Sequence, residues 1–288
     1  MLRKESFIIF IAVILSMILC SCGGKNILHN EEGSQRADYS ISKVSYSEKN
    51  VVINYPQLYN LSDINRQNSI NRLIKNEALK VLNYYNSDID SLTLEISYDI
   101  HWKGNNLLSI QYWGTGFNEG AAHPNNLLYT TNINMVSPSK VILADVINID
   151  ERFIKKFRSG EFKLFSPQLH DKAFIISSKD MYSLEELIGL FKNADSLDYV
   201  GTEKQSDIFS FFTKDALCIS IPVSHAAGDH AELGFEYKSI SDIIKGENNI
   251  WQDFKKEDMI STGTITSSYI KLKNRSDTAK SYLCSKYN

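Results

Sequence analysis

The chain has 288 residues, of which 43% are apolar and 23% charged, and its formal net charge is −3. Such a composition is ordinary for a globular protein of a size that holds its core without disulfide or metal staples. The mildly acidic balance argues against a general nucleic-acid binder, which presents a net basic surface.

At the start, Arg3 and Lys4 precede Phe7–Leu19, an uncharged apolar run of 13 residues. It has the length of a signal-peptide core and falls short of the roughly 20 residues that span a bilayer. The sequence Leu19-Cys20-Ser21-Cys22 resembles the bacterial lipoprotein signal, in which a Leu stands three positions before a Cys and a small residue directly before it. Cys20 fits that pattern worse, because bulky Leu19 would occupy the cleavage position. The resemblance implies removal of residues 1–21 and lipidation of Cys22, which would hold the chain on a membrane facing out of the cytoplasm. Each buried methylene contributes about 0.8 kcal/mol, and two acyl chains suffice for stable anchoring. An ordinary secretory signal or a short buried helix is the competing reading.

Residues 22–38 are polar, without periodicity, and read as a flexible tether. Tyr39–Ser47 and Val51–Tyr55 read as two strands, with Pro56 ending the second. A helix follows, capped by Ser62 or Asp63, with Ile70, Leu73, Ile74, Ala78, Val81, Leu82 and Tyr85 on one face. Leu92–Trp102 alternates apolar and polar residues, as a half-buried strand does, and a short turn returns it as Leu107–Trp113. Gly114–Pro124 reads as a long irregular connection before the strand Leu127–Met135.

In the second half, Val141–Leu143 is a short strand and Asp150–Phe157 a helix. Ser183 and Glu186 form a capping box for another helix. Asp207–Thr213 and Leu217–Pro222 pair as a hairpin, Gly234–Lys238 is a last strand and Ser241–Lys245 a last helical turn. The pattern predicts an α+β fold, antiparallel sheets with helices packed on one face, in two consecutive subdomains at 39–136 and 137–250. From 251 to 288 a basic tail is expected, because seven Lys or Arg residues follow Trp251 against four acids. With Cys20 removed and Cys22 lipidated, Cys218 and Cys284 remain as a candidate disulfide that would pin this tail to the sheet.

Four stretches in order carry a family resemblance: Ile53–Leu58 with Ile70-Asn71, Gly120–Pro124 with Val141–Val146, Phe212–Leu217 with Ile221-Pro222, and Ala226–Gly228 with Phe235–Ile240. Over roughly residues 39–246 the chain resembles the paired extracytoplasmic domains of unknown function of RsiV-type anti-sigma factors. The same pair is similar to the non-catalytic N-terminal part of PdaC-type peptidoglycan deacetylases. The resemblance implies an α+β module outside the membrane, which in the anti-sigma factors is a lysozyme receptor without chemistry of its own. Neither a sigma-binding segment nor a deacetylase domain matches this sequence, so those activities are not implied.

No nucleophile elbow, phosphate loop or standard zinc spacing is present. Tyr112, Trp113, Phe117 and His123 flank the glycine-rich connection and are the expected ligand contacts, since loops held by a rigid sheet carry function. The leading expectation is therefore a lipid-anchored envelope module, not an enzyme and without cofactor or metal. It would bind peptidoglycan or a lysozyme-like protein and no nucleic acid. The alternative is an envelope hydrolase or metalloenzyme using His123, His225, Asp229 and His230.

Overall fold

The first sheet begins where the sequence places its first hairpin. In the computed structural model, β1 (Ser40–Glu48) pairs antiparallel with β2 (Val51–Tyr59) through a two-residue turn in which Lys49 is left-handed, φ 51°. Strand β2 runs through Pro56 instead of ending there. It pairs β3 (Leu92–Lys103) only over Val51–Ile53, so Pro56 has a strand neighbour on one side alone, a position that tolerates proline. Helix α1 (Ile64–Leu79) lies between these two parallel strands in the chain, and the Asp63 carboxylate caps it by accepting from Arg66 N–H. Ile70, Ile74 and Ala78 are buried against the sheet. The structure describes residues 37–85, 89–165, 175 and 182–254.

Strand β3 continues antiparallel into β4 (Leu107–Asn118), β5 (Asn125–Asn134) and β6 (Ser139–Val141), giving the order β1-β2-β3-β4-β5-β6. The expected irregular connection at Gly114 is a correction, because β4 runs straight through it. A Cβ on Gly114 would sit 1.9 Å from the Glu95 carbonyl oxygen, and one on Gly116 1.9 Å from the Tyr85 hydroxyl. The glycines are there for close approach inside a strand, not for a turn.

The second sheet has the order β7-β10-β9-β8, built from β7 (Lys163–Leu164), β8 (Phe209–Phe212), β9 (Ala216–Pro222) and β10 (His230–Glu236). Helices α2 (Leu143–Val146), α3 (Glu151–Arg158) and α4 (Leu184–Lys192) precede or interrupt it. The Ser183 capping box forms as expected, with reciprocal bonds to Glu186. The last strand starts at His230, earlier than expected, and the following helical turn is a 3₁₀ turn at Tyr237–Ile240. The fold is α+β, with one parallel pair among the described strands of otherwise antiparallel sheets. Among the described residues no helix is long and apolar enough to cross a membrane.

One core lies between the first sheet and α1, the other between the second sheet and α2–α4. The second reaches Trp102 and Leu107 of the first sheet, and the first takes in Leu197 and Phe209 from the later half. All described residues fall in one compact unit. Trp251 and Phe254 are buried in an aromatic cluster with Phe212 and Tyr237, so a solvated tail can begin no earlier than residue 255.

Aspartates of the later half close the joint. Asp195, fully buried, accepts from Leu143 N–H at 2.7 Å, from Ser210 Oγ–H at 2.7 Å and from Thr130 Oγ1–H at 3.3 Å, and also from Ser210 N–H. Asp207 accepts from the Tyr84 hydroxyl at 2.6 Å. Asp253 accepts from Trp102 Nε1–H at 3.1 Å and from Leu107 N–H at 2.9 Å, and its other bonds go to Asn106 at the tip of the β3–β4 hairpin. A fourth, Asp229, belongs to the site below.

Candidate functional site

Strand alternation divides the four expected ligand contacts. On β4, Leu108, Ile110 and Tyr112 point toward α1, while Gln111, Trp113, Thr115 and Phe117 point to the opposite face. Tyr112 is therefore a correction: it is wholly buried and stacks on Tyr129 at 4.7 Å, and its ring offers nothing to a ligand. Burial pushes its hydroxyl far above the ordinary tyrosine pKa. Period-two side-chain geometry is the reason, since a residue adjacent to Trp113 must face the other way.

Trp113 and Phe117 are half-buried on the face away from α1. The Trp113 indole N–H donates to Asp99 Oδ2 at 2.8 Å, which fixes the ring. Across β3 they oppose Ser97 and Thr93, and across β5 Trp113 opposes Leu128 and Thr115 opposes Asn126. Further along this face the His101 ring lies 4.5 Å from Phe211 of β8, so the face leads toward the second sheet.

At the end of this row, residues 119–124 connect β4 to β5, with Gly120 left-handed at φ 89°. His123 is exposed there, and its ring stacks face to face on His225 with centroids 3.6 Å apart and planes 13° apart. His225 begins a 3₁₀ turn between β9 and β10, ended by Gly228 and by left-handed Asp229, φ 70°. His225 Nδ1 lies 2.9 and 3.1 Å from the two Asp229 oxygens. Asp229 Oδ2 also accepts from Asn126 N–H at 2.8 Å and from Asn126 Nδ2–H at 3.0 Å. Asp229 thus joins the second sheet to β5 and orients an imidazole at once.

The structure brings His123, His225 and Asp229 together across about a hundred residues of chain, which spacing alone does not reveal. His230 lies on β10 itself, with Nε2 3.9 Å from Glu232. Among the described residues no three His, Cys, Asp or Glu groups are arranged to hold a metal ion, so the four-residue set of the alternative metalloenzyme reading does not assemble. Asn126 and the bridging role of Asp229 were not foreseen, although Gly228-Asp229 is a turn dipeptide in which both residue types favour left-handed backbone. Cys218 is buried and burial raises its thiol pKa, while Cys284 and Cys22 lie outside the described residues.

No protein-family model matches the chain, and no curated protein does. Two solved structures show a weak similarity to it. A DUF3298-family protein from Bacteroides fragilis is 12% identical, with 77% of this chain and 99% of that one covered at a TM-score of 0.47. A DUF3298-family protein from Pseudomonas aeruginosa is also 12% identical, with 73% and 96% covered at a TM-score of 0.43. These neighbours are bacterial proteins of a family of unknown function, and a similarity at this level assigns no site and no activity.

Proposed function

We propose that the chain is a binding module of the cell envelope, held to a membrane by lipid on Cys22, that recognises an envelope polymer such as peptidoglycan or a protein such as a lysozyme and performs no chemistry itself. The observation that carries this reading is the row of Trp113 and Phe117 on a rigid sheet, the first ring fixed by Asp99 and the row ending at exposed His123. Preset aromatic rings contribute large contact area at little entropic cost, which suits both sugar rings and protein partners. The resemblance of the motif order to RsiV-type and PdaC-type extracytoplasmic modules supports the same reading, as does the apolar run before Cys22. Calorimetric titration with peptidoglycan fragments and with lysozyme tests it. One of the two is expected to bind, with affinity at least tenfold weaker in Phe117→Ala; silence from both ligands would sink the reading.

A second reading, an envelope hydrolase, is favoured by one observation. The Asp229 carboxylate behind His225 Nδ1 is the arrangement of a general base and its orienting group. Turnover of an envelope substrate that disappears in His225→Ala would support it, and unchanged turnover in that variant would end it.

A further inference from the structure

We propose that His123 and His225 form a two-imidazole binding site for a divalent transition metal of the copper or zinc kind, spanning the loop before β5 and the turn before β10. The proposal rests on the histidine pair and the groups that orient it, and is independent of what the module binds or whether it catalyses.

Each ring has one nitrogen already committed. His225 Nδ1 faces the Asp229 carboxylate at 2.9 Å, and His123 Nδ1 faces the Pro124 carbonyl oxygen at 3.2 Å. A carbonyl only accepts hydrogen bonds, and so does an ionised carboxylate, so both Nδ1 atoms are assigned the proton, and in the neutral imidazole, the form that ligates metals, Nε2 carries the lone pair. A histidine whose Nδ1–H is given to a carboxylate or a backbone carbonyl is oriented as metal-ligating histidines are. The orienting group is itself held, because Asp229 is bonded to both the main chain and the side chain of Asn126.

The stack is not explained by core packing. The His225 side chain is 45% exposed and His123 is exposed as well, so pairing the two rings buries little surface. Asp229 is engaged with His225 Nδ1, and among the described residues no three-group cluster is arranged to hold a metal, so the pair supplies two protein ligands. Water would complete the coordination. Exposed side chains change rotamer on the ps–ns timescale, so the parallel rings can splay to share one ion. Imidazole donors select zinc, copper and nickel over magnesium and calcium, and affinity is expected to rise from zinc to copper.

The test is calorimetric titration of the full chain with Cu²⁺, Zn²⁺ and Mg²⁺. The expected result is one Cu²⁺ or Zn²⁺ per chain, copper tighter than zinc, and no Mg²⁺ signal. In the double variant His123→Ala/His225→Ala the affinity should fall at least tenfold, while the metal-free unfolding midpoint stays within two degrees. Asp229→Asn keeps a residue that tolerates left-handed backbone and should weaken binding by about tenfold. Paramagnetic broadening by Cu²⁺ in imidazole NMR spectra of the unsubstituted chain gives a readout that needs no variant, and it should centre on His123 and His225. Equal affinity in the double variant, or broadening centred on another histidine such as His230, would overturn the proposal.

Discussion

Asp195 and Asp229 perform the same task at two places along the joint between the halves. Both are left-handed, with φ 65° and 70°, and both carry a carboxylate that bonds β5, at Thr130 in one case and Asn126 in the other. Their surroundings differ. Asp195 is sealed, 1% exposed, and all its partners are fixed donors of the fold. Burial pushes its pKa up, and the hydrogen bonds from Ser210 and Leu143 oppose that shift. Asp229 keeps one side open and spends it on His225. One chemical device therefore serves twice, as a structural joint where water is excluded and as the support of an imidazole where it is not.

The comparison breaks most sharply under alanine. Asp195→Ala leaves several buried donors unmet, each worth about 1–3 kcal/mol, so a loss of roughly 4 kcal/mol or more is expected in urea unfolding. Asp229→Ala opens to water and should cost only about 1–2 kcal/mol in the same measurement. Equal losses would mean that the two joints do not differ as burial implies.

The two strand glycines give the next largest effect. Gly114→Ala meets backbone at Glu95 and should cost about 3 kcal/mol, at the upper end for overpacking, whereas Gly116→Ala meets the far end of the Tyr85 side chain and should cost nearer 1 kcal/mol. Thermal unfolding of the two variants ranks them.

A surface aspartate provides the smallest effect and the contrast to both joints. Asp150 caps α3 and is bound by Arg152, which holds its carboxyl below the ordinary aspartate value. A lowered folded pKa means stability present above the unfolded value near 4 and lost as pH falls through the lower folded one. Asp150→Ala should remove about 1 kcal/mol at neutral pH, and the difference from the unsubstituted chain should vanish in strong acid. A constant difference across that range would show that the carboxylate charge contributes nothing.

Local pattern made much of the fold legible. The alternation of Leu92–Ile100, the one-sided helix from Ile70 to Ala78 and the Ser183 capping box each encode their element within a few residues, whereas a register shift turns Trp102 to the other core and the chain tightens to a 3₁₀ turn over Lys80–Tyr84. Gly114 and Gly116 misled, because a glycine demanded by a neighbouring strand's carbonyl or by a distant tyrosine looks the same in sequence as one demanded by a turn. Pro56 misled likewise, since nothing nearby says that β2 has lost a neighbour. In the site, Trp113, Phe117 and His123 stand out beside a glycine-rich stretch, but Tyr112 was drawn in with them by adjacency that the strand pleat reverses. The Asp229–Asn126 bond joins residues 103 apart, and no local signal carries such a pairing.

Asp253 has a consequence for the order in which the protein is made. The indole of Trp102 waits for a carboxylate 151 positions downstream. At translation rates of about 5–20 residues per second the ribosome delivers that partner roughly eight to thirty seconds later. Through that interval the tip of the longest hairpin has donors turned toward an absent acceptor. A nascent chain stalled anywhere short of residue 253 lacks this latch at the hairpin tip, however completely its own strands have paired.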